Sequence, residues 1–364
     1  MILSIILLVL IAVAIFLVLQ HPQFGKNPSG ERLNRIQKSP HYKDGAFRNI
    51  SPTPQLTEDA TMTKVMLRFL FGKEERKIPK QKFNFEKTDL KNLSPDENVF
   101  VWFGHSSYFI QVDGKKILVD PVFSGNASPF SFMGKAMAGT DLYSADDIPE
   151  LDHLIITHDH WDHLDYDTVI KLQPKVKLVI TGLGTGEHLE YWKYDPSKII
   201  ELDWKEDFDL GNGFRIYCET SRHFSGRSLK RDQAIWASFI LVTPTQTIFI
   251  GGDSGYDHHF KEIGDQFGPI DLAILETGQY HSDWKYIHMI PSEQIQAMKD
   301  LKAKKMIPVH HSKFVLATHA WDEPLKKITE MNTENLRILT PQIGEKTNWE
   351  DDSQTFERWW QSYQ

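Results

Sequence analysis

Cysteine is almost absent from this 364-residue sequence, in which Cys218 is the only one. A single cysteine cannot form an internal disulfide or supply the thiolates of a zinc finger. Any metal site must therefore be built from histidine, aspartate and glutamate side chains. An excess of basic residues is also missing, because 41 Lys and Arg stand against 49 Asp and Glu, for a formal net charge of −8. This balance predicts no nucleic-acid partner, since nucleic acid is bound mainly through clustered positive charge.

Charged side chains are absent from residues 1–20, and every residue from Ile2 to Leu19 except Ser4 is apolar. As a helix this run would be about 27 Å long, close to the hydrocarbon thickness of a bilayer. A cleaved signal peptide is the alternative, but no basic residue precedes the run and no small-residue cleavage site follows it. The run therefore predicts an uncleaved, single-pass membrane anchor.

A basic segment follows the predicted anchor. Residues 21–50 contain six Lys or Arg and two acidic residues, whereas the rest of the chain is acidic. By the positive-inside tendency, this asymmetry predicts that the bulk of the chain lies in the cytoplasm. The basic residues also suit contact with anionic lipid headgroups, with a solvated linker as the alternative. Residues 21–60 contain several prolines and show neither helical nor strand periodicity, which predicts an extended connector.

Apolar, β-rich runs recur from Asn98 onward, with helical patterns between them. The first three runs predict a β-meander in which Asp113-Gly114 forms a hairpin turn. Alternation of strands and helices in two halves predicts the α/β class. The later predicted strands cover residues 151–157, 177–181, 214–220, 235–243, 247–252, 271–277 and 305–311. The predicted helices cover residues 61–72, 166–172, 186–192 and 291–301.

Residues 158–165, which directly follow an apolar run, contain three histidines and three aspartates. In an extended chain His158 and His160 point to the same side, two positions apart. Asp162 and His163 follow where the chain turns toward a helix, so they can address a second point nearby. This spacing predicts binding of two adjacent cations.

The H-x-H-x-D-H pattern resembles that of the metallo-β-lactamase superfamily. Three further motifs follow apolar runs in matching order: S-R-H-F-S-G-R with His223, G-G-D-S-G-Y with Asp253, and I-P-V-H-H with His310. The resemblance covers about residues 96–325 and implies an αββα sandwich whose loops gather the ligands at one edge of the sheets. It further implies that His158, His160 and His223 hold one metal, that Asp162, His163 and His310 hold a second, and that Asp253 bridges both.

The doubled histidine near residue 310 leaves two candidates for one ligand position. The downstream Phe314 and Leu316 fall in register with the family pattern when His310 is the ligand. His311 would point the opposite way on an extended chain. We therefore predict His310 as the ligand.

A closer resemblance is to N-acyl-phosphatidylethanolamine-hydrolysing phospholipase D and its bacterial relatives. It is carried by W-F-G-H-S-S at 102–107, H-F-S-G-R, G-D-S-G-Y and the K-Y-I-H that ends at His288. It implies that Arg227 binds a substrate phosphate and that His288 protonates a leaving alkoxide, with Asp162 and Asp253 as the other catalytic residues. A surface ion pair for Arg227 and a packing role for His288 are the alternatives.

Two adjacent divalent cations favour hydrolysis of a phosphate or carbonyl group. A set of imidazole and carboxylate ligands favours Zn²⁺, with Mn²⁺ and Fe²⁺ as alternatives. We therefore expect a membrane-anchored dinuclear-metal hydrolase, a phospholipase D-type phosphodiesterase for N-acyl-phosphatidylethanolamine-like phospholipids at the bilayer. The alternatives are a lactonase or soluble phosphoester or ester hydrolase, and a non-catalytic scaffold. The sequence does not predict an oligomeric state.

Four regions follow from these patterns. They are the transmembrane anchor at 1–20, a basic juxtamembrane linker and N-terminal extension at 21–95, the metallo-β-lactamase-fold hydrolase domain at 96–325, and a C-terminal extension at 326–364.

Overall fold

The computed structural model describes residues 2–72 and 76–363, apart from the side chain of Leu70. Within these residues two seven-stranded sheets form the body, and a two-stranded hairpin lies outside them. The α-helices are α1 (Ile2–Leu19), α2 (Gly30–Lys38), α3 (Met62–Phe71), α4 (Tyr166–Leu172), α5 (Gly186–Tyr191), α6 (His259–Phe267), α7 (Pro291–Asp300) and α8 (Glu323–Met331).

The hairpin and the first sheet use nine strands. The hairpin pairs β1 (Tyr42–Lys43) with β2 (Ala46–Phe47). The first sheet contains β3 (Val99–Trp102), β4 (Tyr108–Val112), β5 (Lys115–Val119), β6 (Leu151–Ile156), β7 (Val176–Gly182), β8 (Ile199–Leu202) and β16 (Lys346–Thr347). Their order is β16-β3-β4-β5-β6-β7-β8, antiparallel from β16 to β5 and parallel from β5 to β8.

The second sheet has the same size and a similar change of direction. It contains β9 (Asp207–Gly211), β10 (Phe214–Thr220), β11 (Ala237–Val242), β12 (Thr247–Ile250), β13 (Leu272–Glu276), β14 (Lys305–Val309) and β15 (Arg337–Ile338). Neighbouring strands are antiparallel from β9 to β12 and parallel from β12 to β15.

Alternation of side chains along the strands produces the layers. On β3, Phe100 and Trp102 face the second sheet, while Val99 and Val101 pack toward α4 and α5. On β11, Phe239 and Leu241 face the first sheet, while its neighbour Ile240 packs toward α6 and α7. Since every strand side chain here is buried on one face or the other, helices must cover both outer faces. The predicted αββα sandwich is confirmed.

Most predicted elements of the body occur where the sequence placed them. The helix expected over 166–172 is α4, and those expected at 186–192 and 291–301 are α5 and α7. Asp113 and Gly114 form the predicted turn, with φ of 46° and 74°, the positive values that a type I′ hairpin requires. Strands β8, β9, β15 and β16 and the helices α6 and α8 lie outside the predicted set.

The N-terminal region departs from the predicted extended connector, because α2 and the hairpin lie within it. The nine residues of α2 begin after Ser29, and Ile36 on its inner face is 1% exposed. The apolar residues of α2 span only one helical turn, which is too short a pattern to predict a helix from the sequence. The basic residues are also bound to the body: Arg32 donates to Glu187 at 2.7 Å and to Glu201 at 2.6 Å.

The C-terminal extension completes both sheets. The predicted boundary at residue 325 falls inside α8, and β15 and β16 add an edge strand to the second and first sheet respectively. Trp359 and Trp360 are both 2% exposed, and Trp359 packs edge-on against Phe85.

Helix α1 carries no buried residue. Among the described residues it is the one helix long and apolar enough to cross a membrane, by length and composition, and a signal sequence would meet the same criteria.

Candidate metal centre

The histidine and aspartate motifs meet at one edge of the sandwich, where β6, β10, β12 and β14 end. Each motif begins within three residues of its strand's last residue. β10, β12 and β14 run in the same direction, so their carboxyl ends lie along one edge of the second sheet. Loops at such an edge can present side chains from distant parts of the chain on a rigid scaffold.

Three overlapping groups of potential ligands form at this edge among the described residues, and the third, made of Asp253, Glu276, His288 and His310, shares one residue with each of the other two. In each group the ligand atoms lie within 4.8 Å of one another. The first group contains His158, His160, His223 and Asp253. The second contains His105, Asp162, His163 and His310.

Asp253 lies between the two groups. Its Oδ1 is 3.2 Å from His163 Nε2 and 3.1 Å from His310 Nδ1. Its Oδ2 is 3.9 Å from His158 Nε2 and 3.7 Å from His223 Nε2. Each carboxylate oxygen therefore faces a different set of histidines.

Two donor atoms are left without partners, as a bound cation would require. His163 Nε2 and Asp253 Oδ1 are buried, and each lacks a hydrogen-bond partner among the described residues. Burial holds the pKa of His158 and of His223 well below the ordinary value, whereas for His163 burial is outweighed by the carboxylates of Asp253, Asp162 and Asp120, which hold its pKa well above it. Buried polar atoms are rarely left unpartnered in native proteins. The clusters are therefore able to bind metal ions.

Hydrogen bonds fix the orientation of the candidate ligands. The Nδ1 of His163 is 2.7 Å from Asp120 Oδ2, and Thr157 holds that carboxylate with its own backbone N–H at 2.8 Å. The Nδ1 of His223 donates to the carbonyl of Ile287 at 2.9 Å. In both rings this leaves Nε2 directed at the centre, as is usual for metal-binding histidines. Asp120 thus orients the ring of His163.

His105 lies beside the second group of ligands. Its Nε2 lies 2.9 Å from Asp162 Oδ2, and its ring centroid is 4.1 Å from that of His310. The hydrogen bond to Asp162 lets His105 orient that carboxylate.

Of the two neighbouring histidines, the structure brings His310 to the cluster. His310 has a φ of 68°, a left-handed conformation that turns its side chain toward Asp253. The ring of His311 instead packs against Trp102 with centroids 4.6 Å apart. Burial lowers the pKa of His311 to about 3, so it is a neutral packing residue.

A cavity of about 310 Å³ opens beside the two groups. Its polar side includes His160, Asp162, Asp253 and His310. The apolar part of the lining is formed by Leu56, Met62, Val65, Phe69, Phe224, Trp284, Ile287 and Leu316. Three of these residues belong to α3, so a helix that precedes the sandwich in sequence forms one wall of the cavity.

His288 lines the same cavity, as expected from the sequence. Its Nδ1 is 2.7 Å from Glu276 Oε2, and Glu276 also accepts the backbone N–H of Met289 at 2.7 Å. Burial lowers the pKa of His288 and raises that of Glu276 well above its ordinary value. The bond at Nδ1 leaves the other ring nitrogen of His288 free.

Arg227 is not brought to the cavity. It is 3% exposed, with Nη1 donating to the carbonyls of Asp159 and Leu164 at 3.0 and 2.6 Å, and Nε donating to that of Gln23 at 2.9 Å. The guanidinium carbon lies 4.0 Å from the ring centroid of Trp161. The expectation that Arg227 binds a substrate phosphate does not agree with this position outside the cavity lining; its Nη1 and Nε hold backbone carbonyls, and its buried Nη2 has no hydrogen-bond partner among the described residues.

Arg231, four residues later, is the arginine that lines the cavity. Its guanidinium lies 4.4 Å from the ring centroid of Phe224, and its Nη1 donates to Gln55 at 3.0 Å. Arg231, Glu276 and the α3 wall were not predicted from the sequence. Glu276 ends the apolar run of β13, which is a usable signal, whereas nothing in the sequence separates Arg231 from other loop arginines.

Comparisons with known proteins agree with this architecture. A family model described as a beta-lactamase superfamily domain matches residues 115–311. An uncharacterised protein of Mycobacterium tuberculosis is 32% identical over 317 residues, covering 86% of this chain and 85% of that protein. The N-acyl-phosphatidylethanolamine-hydrolyzing phospholipase D 1 of Caenorhabditis elegans is 29% identical over 262 residues, covering 67% of this chain and 74% of that protein.

A solved structure shares the fold. Igni18, a metallo hydrolase from the archaeon Ignicoccus hospitalis, aligns with a TM-score of 0.54 and 18% identity, covering 69% of this chain and 97% of that chain. The two sheets and the paired His/Asp groups at their edge thus define a metal-dependent hydrolase of the αββα type. The chain belongs to the metallo-β-lactamase superfamily.

Proposed function

We propose that this protein is a membrane-anchored phospholipase D-type phosphodiesterase acting on N-acyl-phosphatidylethanolamine-like phospholipids. The observation that carries the proposal is the cavity, in which two groups of metal ligands face an apolar wall. Such a cavity suits a substrate that has an anionic group next to a long apolar chain. The similarity to the C. elegans phospholipase D supports this choice of substrate class.

Two divalent cations, with Zn²⁺ preferred for this ligand set, are part of the proposal. His158, His160 and His223 would hold the first, Asp162, His163 and His310 the second, and Asp253 both. When bound, two such cations polarise a phosphoryl group and lower the pKa of water.

Arg231 supplies the positive charge for the substrate in this proposal. Its guanidinium reaches the cavity beside His160 and Phe224 and presents several N–H donors in one plane. Phosphate oxygens match that geometry, and a neutral lactone offers no anion to it. Arg231 thus takes the role that the sequence assigned to Arg227.

His288 moves the proton. Glu276 accepts the Nδ1–H of the ring, so the lone pair at Nε2 is available in the cavity. The ring is neutral because burial lowers its pKa, so Nε2 first takes a proton from water and then returns it to the leaving oxygen. The bond from phosphorus to the head-group oxygen breaks, a bond from phosphorus to the water oxygen forms, and the products are phosphatidate and an N-acylethanolamine.

Helix α1 places this chemistry at a bilayer in the proposal. Its 18 apolar residues match the hydrocarbon thickness, and a lipid substrate would lie in the same membrane. A cytoplasmic position for the catalytic domain stays a prediction from the basic residues that follow α1.

The test uses the full-length, metal-loaded protein with vesicles of phosphatidylcholine and N-acyl-phosphatidylethanolamine in H₂¹⁸O. We expect phosphatidate and N-acylethanolamine in equal amounts, with ¹⁸O only in the phosphatidate, by mass spectrometry. Arg231→Ala should lower this turnover roughly 100-fold, since a hydrogen-bonded charge contributes about 2–3 kcal/mol. Arg227 is left unchanged in this variant. Fatty acid and lysolipid as products would contradict the proposal.

The alternative is a lactonase or soluble ester hydrolase of the same superfamily. It predicts turnover of neutral lactones that Arg231→Ala leaves unchanged and no cleavage of phospholipid. The same protein preparations and a panel of acyl lactones distinguish the two functions.

A further inference from the structure

A loop between β5 and β6 projects from the body with an apolar tip. Its base is hydrogen-bonded, with Asn126 and Lys135 forming an isolated antiparallel bridge and the N–H of Ala127 donating to Gly134 at 2.8 Å. At the tip, the N–H of Met133 donates to the carbonyl of Phe130 at 2.9 Å, which closes a tight turn. The loop is therefore an ordered hairpin-like projection.

The tip exposes three large apolar side chains to solvent. Phe130 is 37% exposed, Phe132 is 73% exposed and Met133 is 53% exposed. The two phenylalanine rings stack with centroids 5.6 Å apart. The protein thus holds a compact apolar group outward, where it gains nothing from burial within the described fold.

This tip lies next to the exit of α1. The side chain of Gln23, four residues after the end of α1, donates to the carbonyl of Pro129 at 2.9 Å. The chain at this exit is also held by the body: the buried Trp192 donates to the carbonyl of Pro22 at 2.7 Å, and the rings of Tyr166 and His21 lie edge-on with centroids 6.2 Å apart.

The charge of the loop suits the same environment. Residues 121–140 contain no aspartate or glutamate, and Lys135 is their only charged residue. A carboxylate at this place would oppose insertion among lipid headgroups, whereas lysine can extend to the phosphates.

We propose that Phe130, Phe132 and Met133 insert into the interfacial layer of the bilayer crossed by α1. The tip then forms a second contact with lipid beside the anchor, which fixes the rotation of the body about the axis of α1. This inference depends on α1 remaining in the membrane and is independent of the substrate.

The test places a fluorophore at the tip of the full-length protein in phosphatidylcholine vesicles. Phe132→Cys is labelled with a polarity-sensitive dye, and the buried Cys218 of the parent protein serves as the check for background labelling. Met331→Cys on α8 is the matched control, because Met331 is an exposed apolar residue of similar type, 43% exposed.

We expect blue-shifted emission from position 132 and quenching by lipids with a doxyl group near the headgroup, with neither effect at position 331. Equal, water-like emission at both positions would overturn the proposal. Blue-shifted emission without quenching by lipid would also overturn it, because the tip would then be buried by protein. An intact mass that shows loss of residues 1–19 would remove the anchor and the proposal together, whatever the protein hydrolyses.

Discussion

At the scale of single residues, Asp253 has the most central position. Its two oxygens face different histidine sets, and burial raises its pKa to about 6. Removing one negative charge there leaves two cations without the anion that reduces their repulsion.

Asp253→Asn should therefore lose metal and lower turnover by roughly 100-fold or more. Metal content per chain, measured by plasma mass spectrometry, should fall together with the rate. Asp257→Asn is the control, since Asp257 is near in sequence, belongs to none of the ligand groups and accepts the N–H of His258, with Arg222 Nε 3.9 Å away. Retention of two ions at unchanged affinity in Asp253→Asn would show that Asp253 does not bridge.

In the proposed function, Glu276 acts on the reaction through His288, whose Nδ1 lies 2.7 Å from its Oε2. Glu276→Gln should lower kcat about 10–100-fold with metal content unchanged, because the amide no longer fixes the ring as a base. In a double-mutant cycle, His288→Ala and Glu276→Gln should be strongly non-additive. Additive losses, or loss of metal from Glu276→Gln, would instead indicate that Glu276 works apart from His288.

At the scale of elements, α3 forms part of the wall of the cavity. Val65 lines the cavity, whereas Met66, the next residue, is 57% exposed and faces away from it. The helix itself was predicted, at 61–72 against the observed Met62–Phe71. The position of α3 over the metal centre was not predicted, because no local sequence pattern indicates which distant loop a helix will cover.

Val65→Asp should raise the KM for a long-chain phospholipid about tenfold, since an apolar contact of more than 1 kcal/mol is replaced by a charge. A short-chain water-soluble phosphodiester should be hydrolysed at the wild-type rate. Met66→Asp is the control on the same helix and should leave both substrates unaffected. If both variants changed KM equally, α3 would act outside the cavity.

The elements of the sandwich were the most predictable part of the structure. Strands β6, β10 and β12 read as apolar runs that end in chemically distinct motifs, and each ligand loop follows one of them. The segment 21–60 was misjudged because α2 is held by charged contacts to the body, and ion pairs with distant partners leave no periodicity in the sequence. The position of Arg227 outside the cavity lining was also not predictable, since the bonds of its Nη1 and Nε are to backbone carbonyls.

At the scale of the whole molecule, Arg32 fastens the N-terminal region to the sandwich. Its side chain is 12% exposed and reaches Glu187, Glu190 and Glu201 on α5 and β8. Three carboxylates around one guanidinium would repel one another without it, and they raise the pKa of Arg32 despite the opposing effect of burial.

Arg32→Met should lower the free energy of unfolding by about 3 kcal/mol, because three partly buried carboxylates lose their cation. Thermal melting of the detergent-solubilised protein, with limited proteolysis near residues 25–40, measures the effect. Arg35→Met should change stability by less than about 0.5 kcal/mol, since the pair of Arg35 with Glu206 is solvent-exposed. Equal melting of both variants would show that the N-terminal region adds no stability.

The hydrogen bond from Arg227 to the carbonyl of Gln23 limits how far the metal centre can move from the end of α1. Arg227 also holds Asp159 and Leu164, so the chain leaving α1 is fastened to the ligand loop after only four residues, about 14 Å even when fully extended. With α1 in a bilayer, this short connection keeps the metal centre close to that bilayer and prevents it from reaching an apposed membrane. The protein would therefore act in cis, on lipids of its own leaflet, and leave a neighbouring vesicle intact.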